Sequence, residues 1–120
     1  ERAGAAESAG VSPARIILDP GIGFGKTLEH NLQLIRRLDG LVSTGYRILL
    51  GASRKRFLRT LCGAGGAADL AGATAATTVL GVLAGVHIFR VHDVAENRQA
   101  ADIACRFTGE EPLVRTSPDG

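Results

Sequence analysis

The 120-residue chain has no methionine and no tryptophan, a single tyrosine and only two cysteines. Without a methionine at position 1, Glu1 is expected not to be a native translation start. Two cysteines are too few for a secreted disulfide framework, and Cys62 and Cys105 belong to no CxxC or Cys/His ligand pattern. They read as two reduced, buried thiols packed as small hydrophobes. A dominant charge is missing too: 14 basic against 12 acidic residues leave a net charge of +2. The cations are scattered and lack interleaved aromatics, which excludes a nucleic-acid surface. No signal peptide opens the chain and its apolar runs are too short or broken to span a bilayer, so a soluble, cytoplasmic setting with no membrane partner is expected. Glycine is frequent but not periodic and 45% of the residues are hydrophobic, which excludes collagen-like and disordered chains. One compact domain is the natural size class.

Three short aliphatic runs stand out: Arg15 to Leu18, Arg47 to Leu50, and His87 to Val91. Each has strand length and little alternation, as expected of parallel strands buried on both faces. Between the first two, Leu28, Leu32, Ile35, Leu38 and Val42 recur at helical spacing, with Gly45 as a stop. After the second come a short helical segment from Arg54 to Leu61 and a Gly/Ala loop from Gly63 to Ala68. A long small-residue helix then runs from Asp69, a candidate N-cap, to Ala84, with Gly85 as its end. The last run leads into a helix over Asp93 to Phe107, with Val94, Ala101, Ile103, Ala104 and Phe107 as its apolar face. The order β-α-β-α-β-α fits a doubly wound sheet or part of a (β/α)8 barrel. A complete barrel needs about 250 residues for its eight units, so three units would be a partial one.

In both architectures functional residues gather beyond the carboxyl ends of the strands. The first end carries Asp19-Pro20-Gly21-Ile22-Gly23-Phe24-Gly25-Lys26, the second Gly51-Ala52-Ser53-Arg54-Lys55, the third Arg90-Val91-His92-Asp93. A carboxylate at the end of a buried strand needs donors. Asp19 either braces its own loop or accepts a bidentate pair from a donor-rich heterocycle. The glycines are no phosphate loop: GxGxxG lacks its third glycine, and Gly21 stands at the wrong distance from Gly25 for a Walker pattern. Ser53, Arg54 and Lys55 would open a helix whose N-terminus suits an anion, while Arg56 and Arg59 read as a solvated face. With period two, Arg90 and His92 share one face and Val91 takes the other, which suggests an anion site, unless Arg90 is tied up by Asp93 or Asp19. His30 and His87 read as structural.

Taken together, Ile16 to Lys26, Gly51 to Phe57 and Arg90 to Val94 resemble the carboxyl-terminal part of bacterial dihydropteroate synthases, pterin-binding enzymes built on a (β/α)8 TIM barrel. The resemblance covers Val11 to Phe107. It implies an α/β fold that is the carboxyl-terminal three βα units of the barrel. Residues 1–13 would end a preceding helix or loop, residues 14–107 form the partial barrel, and residues 108–120 make a polar tail. It implies condensation of 4-aminobenzoate with (7,8-dihydropterin-6-yl)methyl diphosphate, releasing diphosphate with the help of Mg²⁺. Carried over by position, Asp19 and Lys55 would bind the pterin, and Phe24, Ser53 and Lys55 would line the aminobenzoate pocket. Arg90 and His92 would hold the diphosphate, with Lys55, Arg90 and His92 as the catalytic set. The Mg²⁺ ligand is expected in the absent first five units, so none can be named here. Family members are usually homodimers.

Two other readings stay open. A corrinoid-type pterin-binding methyltransferase shares the barrel and the pterin aspartate but has no diphosphate to hold. A pterin-binding homologue without turnover is the non-enzymatic alternative. The isolated 120 residues are expected to be inactive.

Overall fold

The structure is a computed structural model that describes residues 1–63 and 70–109. The proposed N-cap Asp69, the loop residues 64–68 and the tail from residue 110 lie outside the described residues. Three parallel strands lie in the order β1-β2-β3: β1 is Ile17–Leu18, β2 is Arg47–Leu50 and β3 is Ile88–Phe89. Ile17 faces Arg47 and Leu18 faces Ile48, while Leu49 faces Ile88 and Leu50 faces Phe89. Helices supply the crossovers that parallel pairing requires. Before the sheet come α1 (Arg2–Ser8) and a 3₁₀ turn at Pro13–Arg15.

The outer strands are shorter than the runs suggested. Pro13 opens the 3₁₀ turn and takes the start of the first run out of the sheet. On the other side β2 ends at Leu50, so pairing past Phe89 stops with the Arg90 amide donating to the Leu50 carbonyl at 3.0 Å. Burial on both faces fails as well. Ile48 and Leu50 of the central strand are buried, whereas Ile17, on an edge strand, is 48% exposed.

The single helix expected after β1 is two, α2 (Leu28–Arg36) and α3 (Leu38–Val42), with Arg37 out of helical geometry between them at φ −109°, ψ 18°. Leu28, Leu34 and Ile35 on one side of the break and Leu38, Leu41 and Val42 on the other still reach one core, together with Ile22, Ile48 and Leu50. Gly45 and Gly85 take left-handed conformations after their helices, as expected. The next helices are α4 (Arg56–Cys62) and α5 (Ala71–Ala84). At Gly81 of α5 a Cβ would sit 2.5 Å from Phe89 Cε1, so only glycine lets the helix lie this close to β3.

The last helix, α6 (Val94–Thr108), packs on α5 through Asn97, Ala101, Ala104 and Cys105, a true 3.6-residue stripe. Val94, Ile103 and Phe107, expected on the packed face, are exposed. At about 100° per residue Ile103 points about 160° away from both Ala101 and Cys105, on the opposite side of the helix, while Val94 and Phe107 sit at the two ends of the helix. Of the two thiols, Cys105 is buried as expected but Cys62 is exposed, being the last residue of α4. No helix among the described residues is long and apolar enough to cross a membrane.

Candidate functional site

The loop after β1 is braced from within. Asp19 Oδ1 accepts the Gly21 amide at 2.8 Å, and Lys26 Nζ donates to the carbonyls of Gly21 and Phe24 at 2.7 and 3.1 Å. Asn31, buried on α2, accepts the Gly23 amide at 2.9 Å. Thr27 caps α2 by accepting the His30 amide. The second carboxylate oxygen of Asp19 stays outside this brace and lies 3.7 Å from Arg90 Nη2. Asp19 therefore steadies its loop with one oxygen and forms an ion pair with Arg90 through the other, one of the two pairings expected as the alternative to a free anion site. Asn31 was missed in the sequence; its signal is a polar residue in the same helical register as Leu28 and Ile35.

The loop after β2 holds Ser53, Arg54 and Lys55. Arg54 is the one non-glycine residue with positive φ among the described residues, at 55°. That conformation, which costs about 1–2 kcal/mol in a chiral residue, cannot continue a right-handed helix. It is why α4 begins at Arg56 and not at Arg54 as expected. Arg56 and Arg59 are exposed, as expected. Lys55 reaches across the loop after β1: its Nζ donates to the Ile22 carbonyl at 2.8 Å and lies 4.2 Å from the centroid of the Phe24 ring. Burial pushes the Lys55 amine below its ordinary value, the neighbouring Arg90 guanidinium adds to this, and Asp19 opposes it. The Phe24 ring itself is 66% exposed.

Beyond β3, Arg90 and His92 do not owe their common direction to strand alternation, because the strand has ended. Val91 joins them, with Gly51, Ser53 and Lys55, around a cleft of about 250 Å³. A Cβ on Gly51 would sit 2.7 Å from Arg90 Nη2, so glycine there gives the guanidinium room to cross the strand end. Ser53 Oγ accepts the His92 amide at 3.1 Å and lies 2.8 Å from His92 Nδ1. With the hydroxyl proton given to Nδ1, a neutral ring carries its own proton on Nε2. Asp93 does not pair with Arg90. It takes Arg54 in a two-point contact, Nη2 to Oδ1 at 2.8 Å and Nε to Oδ2 at 3.3 Å. This contact holds the Asp93 carboxyl below its usual range and raises Arg54. Ser53 and His92 are 39 positions apart, as are Arg54 and Asp93, the same offset that pairs Leu49 with Ile88.

A second, larger cleft of about 780 Å³ runs between the loop after β1 and the start of α4, with Gly23, Asn31, Arg54 and Thr60 in its lining. Lys55 borders both clefts. Asp19, Ser53, Lys55, Arg90 and His92 are thus brought together, with Phe24 at the outer side of the lysine. His87 is structural, its Nδ1 accepting the Ile48 amide at 3.1 Å, and His30 is exposed on α2. No group of three or more His, Cys, Asp or Glu side chains suited to a metal occurs among the described residues.

Parallel strands with one carboxylate, one lysine and a guanidinium–imidazole pair at their carboxyl ends define a strand-end ligand site of the α/β class. The family described as pterin binding enzyme matches residues 1–92, and the chain belongs to that family. It is 48% identical over 114 residues to a dihydropteroate synthase of Mycobacterium leprae, covering 91% of this chain and 40% of that protein. A solved dihydropteroate synthase from Clostridium difficile, crystallised in the presence of pteroic acid, superposes with a TM-score of 0.81 at 46% identity, over 85% of this chain and 38% of that one. The dihydropteroate synthase of Thermus thermophilus gives 0.83 at 44% identity in complex with 6HMPPP, over 90% and 42% of the two chains. In complex with 4-aminobenzoate it gives 0.80 at 45%, over 86% and 39%. The chain spans about two-fifths of the length of the relatives it matches.

Proposed function

We propose that the chain is the last three βα units of a (β/α)8 barrel and forms one wall of a dihydropteroate synthase site. The full-length protein joins 4-aminobenzoate to (7,8-dihydropterin-6-yl)methyl diphosphate and releases diphosphate. The observation that carries this reading is Lys55, which stands between a cation-lined cleft and a second, larger cleft. One residue can then touch both partners of a condensation.

Asp19 accepts ring N–H groups of the pterin through the oxygen its loop does not use, and the Lys55 amine lies against the same ring. Phe24 and Ser53 belong to the aminobenzoate side, with Ser53 also orienting the His92 ring. The reaction breaks the bond between the pterin methylene carbon and the diphosphate oxygen, whose electron pair leaves with the diphosphate. The aniline nitrogen of 4-aminobenzoate then bonds to that carbon and loses a proton. Negative charge grows on the leaving oxygen, and Arg90 and His92 are the donors aimed at it. The structures of relatives in the presence of pteroic acid, 6HMPPP and 4-aminobenzoate support these substrate classes.

Mg²⁺ does not fit the donors of this chain alone. The small cleft offers a guanidinium, an amine, an imidazole and a hydroxyl, which suit phosphate oxygens and not a hard cation. Its ligands are assigned to the part of the relatives' length that this chain does not span, and no step above runs through it. A cytoplasmic homodimer follows from the same family reading.

The test is product formation by the full-length protein carrying this chain, followed by chromatography, together with diphosphate binding by calorimetry. Turnover is expected, with diphosphate binding lost in Arg90→Ala. Absence of both product and diphosphate binding in the unaltered protein rejects the reading, and indifference of diphosphate binding to Arg90→Ala favours a methyltransferase.

A further inference from the structure

The ion pair between Arg54 and Asp93 has no part in the scheme above, although each residue adjoins one that does. Arg54 lies between Ser53 and Lys55, and Asp93 follows His92. Behind the pair stands a buried polar row. Thr74 of α5, fully buried, accepts the Arg54 amide at 3.2 Å. Thr78, one turn on, donates to Asn97 Oδ1 at 2.6 Å, and Asn97 Nδ2 donates to the Asp93 carbonyl at 2.8 Å. Both members of the pair are therefore gripped at the backbone by α5 and α6, and at the side chain by each other.

We propose that Arg54 and Asp93 are positioning residues, a clamp seated on Thr74, Thr78 and Asn97 that locks the loop after β2 to the loop after β3. It thereby sets Lys55 against the Ser53–His92 pair. The inference rests on the strand-end site reading given above. Its physical basis is the left-handed backbone of Arg54. A chiral residue keeps that conformation only where its surroundings over-determine it. Released, Arg54 relaxes towards right-handed geometry and re-aims Lys55, its neighbour in the chain. The guanidinium is a flat fork that meets both carboxylate oxygens at once, which the single ammonium of a lysine cannot reproduce.

Arg54 also borders the larger cleft, so the rival explanation is direct contact with substrate. The two differ in what Asp93 does. A clamp makes changes at Arg54 and at Asp93 equivalent and non-additive, whereas a substrate contact makes Arg54 matter alone.

The experiment uses the full-length protein with Arg54→Ala, Asp93→Ala, the double variant, Arg54→Lys and the near-isosteric Asp93→Asn. Turnover is measured for both substrates. Independently of turnover, the pH dependence of acylation of Lys55 is followed by mass spectrometry. In the unaltered protein Lys55 titrates below its ordinary value of 10.5, with Arg90, Asp19 and Lys26 as the charges around it. Each single variant, Asp93→Asn and Arg54→Lys included, is expected to lower kcat, the alanine variants by about 10²-fold, the scale of an ångström-level misplacement. KM should change little, the double variant should be no worse than the alanine singles, and Lys55 should titrate closer to 10.5 in all. Multiplying losses in the double variant, or unimpaired kcat in Asp93→Asn beside a defective Arg54→Ala, overturns the clamp. So does a Lys55 titration that no variant moves. Should the unaltered protein make no dihydropteroate, the functional reading falls while the Lys55 titration still decides the clamp.

Discussion

Gly51 shows how a single hydrogen in place of a methyl group serves the site. Arg90 Nη2 occupies the volume a Cβ would need, and that guanidinium is the free end of a flexible side chain. Gly51→Ala is therefore expected to displace Arg90 without disturbing the core. Diphosphate affinity in the full-length protein should drop roughly tenfold or more, as for a lost charge-assisted hydrogen bond, while the melting temperature stays put. A matched fall in both quantities would mean that the glycine serves the fold. Lys55 leaves a different mark. Its folded-state value lies below 10.5, so between the two values the unfolded chain binds more protons than the folded one. Lys55 then contributes a rise in stability with pH through that window. Lys55→Met should flatten that rise in denaturation midpoints collected from about pH 7 to 10. At this scale the sequence was only partly legible. Asp19, Lys55, Arg90 and His92 could be picked out because they follow aliphatic runs, but the partner of Asp93 could not. A carboxylate beside a histidine has several arginines within sequence reach, and only the backbone of Arg54 decides among them.

Among the elements, α5 has the densest set of duties. One of its faces meets β3 through Gly81, Thr74 holds the backbone of the loop after β2, and Thr78 reaches the loop after β3 through Asn97. The Cβ of Gly81→Ala would press into the ring of Phe89 and against Leu50, which are packed in the core rather than free to swing away. A loss of about 1–3 kcal/mol from overpacking is expected in urea unfolding; a variant of unchanged stability would show that the helix can shift. The alternating small and hydroxylated residues of this helix were readable as a helix, with its end at Gly85. That its threonines point inward was not readable, because a threonine on a small-residue helix satisfies its hydroxyl equally well against solvent. The face of α6 was legible in part for a related reason. Ala101 and Ala104 pack as expected, but the closely approaching α5 selects these small side chains and Cys105 and leaves the larger Ile103 and Phe107 outside.

For the molecule as a whole, the strand order and the crossovers follow from three aliphatic runs and the helices between them, which is why the architecture was legible where local detail was not. What the runs could not convey is how little of the sheet is covered. The edge strand β1 leaves Ile17 nearly half exposed, and Leu80, Leu83 and Ile103 present apolar surface on the helices. Such surface, beside the edge strand β1, supports the proposed reading of the chain as part of a barrel. The 120 residues expressed alone are therefore expected to form no dihydropteroate from the two substrates, with host enzyme removed and product followed by chromatography. Measurable turnover would mean that the whole reaction needs only these three strand ends.

The common offset of 39 residues that joins Leu49 to Ile88, Ser53 to His92 and Arg54 to Asp93 has a consequence for how the gene can vary. The site is written as a count. Adding or removing one residue between Leu50 and Ser53, or between Phe89 and His92, moves every later partner out of step at once. During synthesis, too, the Ser53–His92 and Arg54–Asp93 pairs cannot form until His92 and Asp93 have left the ribosome, later than the Thr74 contact to the Arg54 amide.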